Sequence, residues 1–236
     1  MRSLDLFSCL GMHALGFQRA GIETVAFCES NEFRRQVLAV NFPEAPIHDD
    51  IRTLRDFPEC DIVIGGPPCQ RTSVSAAIHG HRTGESLWPY MLHAYLCSGA
   101  AWAVVEQPTG NAAWEAEVAC SLSAAGRHVA RFEFGAHDVG APYFRRRVFL
   151  VACTSLPRLE IARTALPSAI ERVKRSADAR GDWSPDQLAS LPVDARSAGE
   201  MDAGPMSRAR QEKIEAWGDS NPPHMAEVIG HALCAA

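Results

Sequence analysis

The stretch Gly65-Gly66-Pro67-Pro68-Cys69-Gln70 puts a cysteine where chemistry can reach it. Asp61 to Ile64, just before, is short, β-branched and apolar, the pattern of a buried strand. Two glycines end that strand. Two prolines then stiffen the turn, because each ring fixes its own φ and restricts the residue before it. Cys69 thus leaves a rigid step at the C-terminal end of a buried strand, where open α/β sheets bind their ligands. A thiol there acts as a nucleophile once ionised; the alternative is a small cysteine buried in a tight turn. Ala101 to Val105 reads as another buried strand and delivers Glu106-Gln107-Pro108. Glu106 stands beside Cys69 if the two strands are neighbours, and otherwise faces water from a loop. Tyr143-Phe144-Arg145-Arg146-Arg147 is the compact basic cluster of the first two thirds of the chain. It follows aromatic residues, as nucleic-acid surfaces often do, although an arginine run is also the composition of a solvated face.

The elements that must position these groups alternate in type. Ser3–Phe7 reads as a first strand, followed by a turn bearing Gly11 and a helical pattern closed by Gly21. This is the entry to a nucleotide-binding α/β unit, or an ordinary βα turn, since only Gly11 and Gly16 suggest a glycine fingerprint. Thr24 to Cys28 is the second strand and ends on Glu29, placed either to accept hydrogen bonds from ribose hydroxyls or to cap the helix that follows. Asp49-Asp50-Ile51 offers a second acidic position at a strand end. Helical patterns follow over 86–97 and 111–125, and strand patterns over 129–134 and 147–153. The polar stretch 75–85, with His79 and His81, reads as a mobile loop. From Thr154 the character changes to scattered prolines and a basic helix over 170–180, read as a small second lobe, and then a polar helix over 206–217. A turn, Gly218-Asp219-Ser220-Asn221-Pro222-Pro223, precedes an amphipathic closing helix.

Bulk properties narrow the class. The chain has 236 residues, 47% hydrophobic and 22% charged, with net charge −5 and pI about 6.0. That fits one large globular domain, or a core with a small lobe, and any nucleic-acid contact must be a local patch. The 8 cysteines contain no C-x-x-C pair, which argues against a zinc site and for reduced thiols. Arg2 to Phe7 leads straight into a strand pattern instead of a signal peptide, and no apolar run is long enough to span a bilayer. The expectation is a cytoplasmic protein without a metal. The first turn lacks a full G-x-G-x-x-G, which disfavours a dinucleotide-dependent oxidoreductase.

Taken together, these residues resemble the DNA (cytosine-5)-methyltransferase family, in the family's order, over most of residues 1–153 and 216–236. Asp5-Leu6-Phe7-Ser8 with Gly11, Gly16 and Phe17 resembles its first cofactor motif. Gly66-Pro67-Pro68-Cys69-Gln70, with Ser73, is similar to its catalytic loop. Glu106 stands where the family's Glu-Asn-Val glutamate does. Pro142, Arg145 and Arg147 resemble the Pro-Gln-x-Arg-x-Arg motif, and Gly218, Ser220, Pro222 and Pro223 the closing Gly-Asn-Ser/Ala-Val-Pro-Pro. The chain departs from the pattern at Gln107-Pro108, Thr72, Tyr143 and Asp219, and the stretch between Cys153 and Trp217 is short for a target-recognition domain.

The resemblance implies a Rossmann-like, S-adenosylmethionine-dependent methyltransferase fold of the α/β class. It implies a catalytic domain of residues 1–153 plus 216–236 and a target-recognition lobe of residues 154–215. It implies a nucleophile, Cys69, that adds to carbon 6 of a flipped-out cytosine, with Glu106 as the acid toward N3 and Arg145 and Arg147 stabilising O2. The loop 75–85 becomes a lid. Cofactor contacts are expected from Phe7, Ser8, Leu10, Gly11, Glu29, Ser30, Asp50, Ile51, Pro67, Leu87, Asp219 and Asn221. Substrate contacts are expected from Gln70 and Ser73, with Arg172, Lys174 and Arg175 meeting phosphates. The implied partner is double-stranded DNA, bound by a monomer of prokaryotic or phage type, with the same reaction on a tRNA-type cytosine or a catalytically silent nucleic-acid-binding relative as the alternatives. Whether a restriction endonuclease accompanies it is left open.

Overall fold

A computed structural model gives the fold; it describes residues 1–68, 86–184, 216 and 219–236. Seven strands form one sheet: β1 (Arg2–Leu6), β2 (Glu23–Cys28), β3 (Ile47–His48), β4 (Ile62–Gly65), β5 (Trp102–Pro108), β6 (His128–Gly135) and β7 (Arg146–Cys153). Their order is β3-β2-β1-β4-β5-β7-β6. β1 to β5 are parallel to one another, and β7 runs antiparallel between β5 and β6. The helices are α1 (Met12–Arg19), α2 (Glu32–Asn41), α3 (Trp88–Ser98), α4 (Ala112–Ala124), α5 (Leu156–Arg180) and α6 (Pro223–Cys234), with a short 3₁₀ turn at Ala136–Val139.

The central strands are largely apolar because both faces are covered, as parallel sheets require. Ile62, Ile64, Trp102, Val104, Phe149 and Val151 pack with α5 and α6 on one face. Val63, Ala103, Val105, Val148 and Leu150 pack with Trp88, Met91, Trp114 and Val118 of α3 and α4 on the other. Each such side chain contributes about 1.5–3 kcal/mol relative to exposure. On the first face α1 approaches α6 so closely that a Cβ on Gly16 would lie 2.1 Å from the Pro223 carbonyl oxygen and 2.7 Å from the Glu227 nitrogen. Only glycine allows that contact.

Helix α5 begins fourteen residues before the basic helix expected over 170–180. Pro157 sits in its first turn, where no backbone donor is needed, and Pro167 is carried inside the helix. Its Leu159, Ala162, Ala169 and Val173 enter the sheet's core. The first half of the segment expected as a recognition lobe, 154–215, therefore packs on one face of the sheet. Residues 185–215, with most of the expected helix over 206–217, lie outside the described residues. No described helix is long and apolar enough to cross a membrane.

Candidate active site

In the strand order, β1 lies between β2 and β4, so the direction of winding reverses beside β1. That switch point is where open α/β sheets form a crevice at the carboxyl ends of their strands. The loop after β1 is tightly held there. Phe7 and Cys9 adopt left-handed backbone angles, φ 56° and 49°, which non-glycine residues rarely take. The Ser8 hydroxyl donates to the Asp5 carbonyl at 2.7 Å, and the Gly11 N–H donates to the Ser8 carbonyl at 2.7 Å. Glu29 accepts the Cys9 N–H on Oε2 and the Asn31 N–H on Oε1, both at 2.8 Å. Asn31, not Glu29, caps α2, its side chain accepting the Arg34 N–H at 3.1 Å. Glu29 therefore ties the end of the second strand to the first loop.

A cleft opens at this edge. Phe7, Ser8 and Cys9 line it from the first loop, Met12 and His13 from α1, Gly66 and Glu106 from the strand ends, and Asp219, Ser220 and Asn221 from the segment before α6. Phe7, Ser8, Glu106, Asp219 and Asn221 thus share one cleft. Leu10 is buried against Ala216, and Ile51 and Leu87 belong to the core beneath the sheet. Ser30 is exposed, its carbonyl accepting from Arg35 at 2.5 Å. Asp50 is occupied by Arg52, whose guanidinium and backbone N–H hold its pKa below the ordinary carboxylate range.

The catalytic candidates converge on the ends of β4 and β5, which are hydrogen-bonded neighbours with Gly65 opposite Val105. Glu106 is buried, and its Oε1 lies 2.8 Å from Arg147 Nε. That nitrogen sits beside Oε1 without the alignment of a hydrogen bond, and among the described residues no donor is aimed at that buried oxygen. Its other oxygen rests on Gly66, where a Cβ would lie only 2.7 Å away. Gln107 donates from Nε2 to the Pro67 carbonyl at 2.7 Å and so pins the start of the Cys69 segment to β5. This contact was not legible as a role; the signal was an amide directly after the glutamate. Arg145 turns to the closing segment, donating from Nε to Asn221 Oδ1 at 3.1 Å and from Nη2 to the Ser220 carbonyl at 2.5 Å. Burial, and then the neighbouring Arg147, pull its pKa below the usual arginine value, which still leaves it charged.

Two further groups stand at this end of the sheet. Asp5 is fully buried with neither carboxylate oxygen hydrogen-bonded, and His13 Nδ1 stands 3.7 Å from its Oδ1. Burial pushes the Asp5 carboxyl up; it pulls His13 down, but Asp5 outweighs it and the net direction for His13 is upward. Cys9 is the second. Ser220 Oγ donates to its sulfur at 3.3 Å, and its thiol donates to the Ala216 carbonyl at 3.2 Å. Burial raises its pKa, which disfavours the thiolate and leaves Cys9 a structural residue.

Cys69, Gln70, Ser73 and the loop 75–85 lie outside the described residues. Arg172, Lys174 and Arg175 are exposed on α5. Arg172 acts on His231 and on Cys234, which also feels the N-terminal ammonium, so it sits toward the edge where the strands begin.

Residues 1–95 match the family described as C-5 cytosine-specific DNA methylase. The type II methyltransferase M2.BsuMI of Bacillus subtilis is 40% identical over 87 residues, which cover 36% of this chain and 22% of that one. The type II methyltransferase M.DdeI of Desulfomicrobium norvegicum is 27% identical over 170 residues, covering 66% and 41%. The chain spans about a quarter of the length of the first curated relatives it matches, 22% and 25%. Among solved structures, a Dnmt2 variant from Spodoptera frugiperda superposes with a TM-score of 0.54 at 21% identity, covering 66% of this chain and 50% of that one. The S. pombe Dnmt2 methyltransferase does so with 0.52 at 20%, covering 65% and 50%. These share the fold. Over residues 1–95 the chain is thus similar to the C-5 cytosine-specific DNA methylases.

Proposed function

We propose that this chain transfers a methyl group from S-adenosylmethionine to carbon 5 of a cytosine in DNA. The observation that carries this is the pairing of Glu106 with Arg147 at the end of β5, against Gly66 at the end of the neighbouring strand that leads into Cys69. The cleft at the switch point fits the cofactor by its donor set. Phe7 offers a ring, Ser8 and Asn221 offer polar groups, and Asp219 offers a carboxylate that is 62% exposed while paired to Arg34. When bound, S-adenosylmethionine supplies an electrophilic methyl group on a sulfonium.

The chain's own residues do the rest. The Cys69 thiolate adds to carbon 6, forming an S–C bond, as Glu106 delivers a proton to N3. The electron pair of the C5–C6 double bond becomes available at carbon 5, which is otherwise a poor nucleophile. Arg147 fixes the Glu106 carboxyl, and Arg145 braces the closing segment against the cleft. After transfer, carbon 5 gives its proton to solvent water, the C5–C6 double bond re-forms as the thiolate leaves carbon 6, and N3 returns its proton to Glu106. The reacting base of a duplex must leave the stack to reach this edge.

Incubating the purified chain with DNA and S-adenosylmethionine, then sequencing at base resolution, tests the assignment. 5-Methylcytosine in the DNA supports it. Methylation confined to a tRNA-type RNA would overturn DNA as the substrate, and binding of NAD without S-adenosylmethionine would overturn the class.

A further inference from the structure

Phe144 is 84% exposed, and it is the only exposed aromatic ring among the described residues. A lone apolar residue on a surface is ordinary; the surroundings of this one are not. Phe144 lies two residues before β7, whose first residues pair Arg146 with Gly135 and Arg147 with Pro108. That places the ring at the edge of the sheet that carries Glu106 and the cleft. Each neighbour in the run is already committed elsewhere. Tyr143 packs edge-on to Trp183 at 6.1 Å. Arg145 holds Asn221 and Ser220, Arg146 holds Glu133 at 2.9 Å, and Arg147 holds Glu106. The described ring contact of Phe144 is His137, with centroids 4.9 Å apart, itself at the end of β6 on the same edge. An exposed ring directly before Arg145-Arg146-Arg147, of which Arg146 stays 49% exposed beside Glu133, is suited to a partner that has flat apolar faces and negative charge together. An unpaired nucleotide has both.

We propose that the Phe144 ring is a stacking platform for a DNA base next to the reacting cytosine. The inference rests on the methyltransferase assignment above and extends it to how the strand is held once a base has left the duplex. Base–aromatic stacking tolerates any sequence, because every base has a π-face. Phe144 therefore supplies affinity without setting the target sequence.

The test uses the full chain and a short mixed-sequence single-stranded DNA carrying 2-aminopurine, followed by anisotropy and by 2-aminopurine emission. Phe144→Ala should weaken binding by roughly 5- to 100-fold, the scale of one lost base stack. The bound 2-aminopurine should be brighter, since it is no longer stacked. The salt slope should stay that of the parent, because no phosphate contact is lost. Phe144→Trp should restore both affinity and quenching. Phe144→Ala binding within about twofold of the parent, or a weakened affinity with an altered salt slope, would overturn the inference. So would a parent chain that binds no single strand, or a Phe144→Ala change confined to self-association. Calorimetry with S-adenosylmethionine on the same samples separates the two ideas: intact cofactor binding with no Phe144 effect defeats the stacking role alone, and loss of cofactor binding by the parent defeats the assignment beneath it.

Discussion

Replacing Gly66 by alanine sets a methyl group 2.7 Å from Glu106 Oε2 and 3.5 Å from the Glu106 carbonyl oxygen. Ordinary contact begins near 3.4 Å, so the carboxylate oxygen must retreat by about 0.7 Å. A free glutamate would do so at little cost. Glu106 is not free, because its other oxygen is 2.8 Å from Arg147 Nε and its side chain is only 10% exposed. The retreat therefore turns the acid away from the position it holds beside the Cys69 segment. Misplacing a catalytic group by about 1 Å costs on the order of 10²-fold in rate. Gly66→Ala should lower the single-turnover methylation rate by about that factor, while stability falls by no more than the ~1–3 kcal/mol typical of overpacking. Rapid-quench assays under saturating cofactor read the rate, and urea unfolding reads the stability. A Gly66→Ala protein that methylates within about twofold of the parent would refute the claim that the acid needs this position.

Three other outcomes follow from the same structure. Gln107→Ala leaves the buried Pro67 carbonyl without its 2.7 Å donor, and should cost about 1–3 kcal/mol in urea unfolding together with a lower methylation rate. Gly16→Ala forces α1 away from the Pro223 carbonyl and should destabilise by about 1–3 kcal/mol, read the same way. His224 is buried and its pKa lies below the ordinary value of 6.5 because of that burial, although Asp182 at 2.8 Å opposes the shift and Arg19 and Arg180 add to it. The folded state then binds fewer protons than the unfolded one below pH 6.5, so stability should fall as pH drops from 6.5 toward the folded value. His224→Gln should flatten that dependence in urea midpoints measured across the window.

Much of this architecture is visible in the sequence because both-face burial leaves continuous β-branched and apolar runs, such as Ile62–Gly65 and Val148–Cys153, bounded by glycine, proline or charge. The adjacency of β4 and β5 follows from long-range pairing, which no local pattern encodes. It is this adjacency that sets Glu106 against Gly66. Helix α5 was read short because proline is a breaker by type, whereas Pro157 occupies the turn where proline is harmless. The left-handed Cys9 could not be foreseen either, since cysteine has no preference for that region; its conformation is imposed by Glu29 and Ser220, twenty and more than two hundred residues away. The Asp5–His13 pair likewise depends on a helix folding back over the end of β1.

Trapping with 5-fluorocytosine tests the central claim most directly. Fluorine at carbon 5 cannot leave as a proton does, so a covalent adduct, once methylated, persists. DNA carrying 5-fluorocytosine in the methylated sequence, incubated with the chain and S-adenosylmethionine, should yield a complex that survives denaturing electrophoresis. Cys69→Ser should abolish that complex while cofactor binding by calorimetry stays intact. A denaturation-resistant adduct formed by the Cys69→Ser protein would contradict the account and pass the nucleophile to another cysteine.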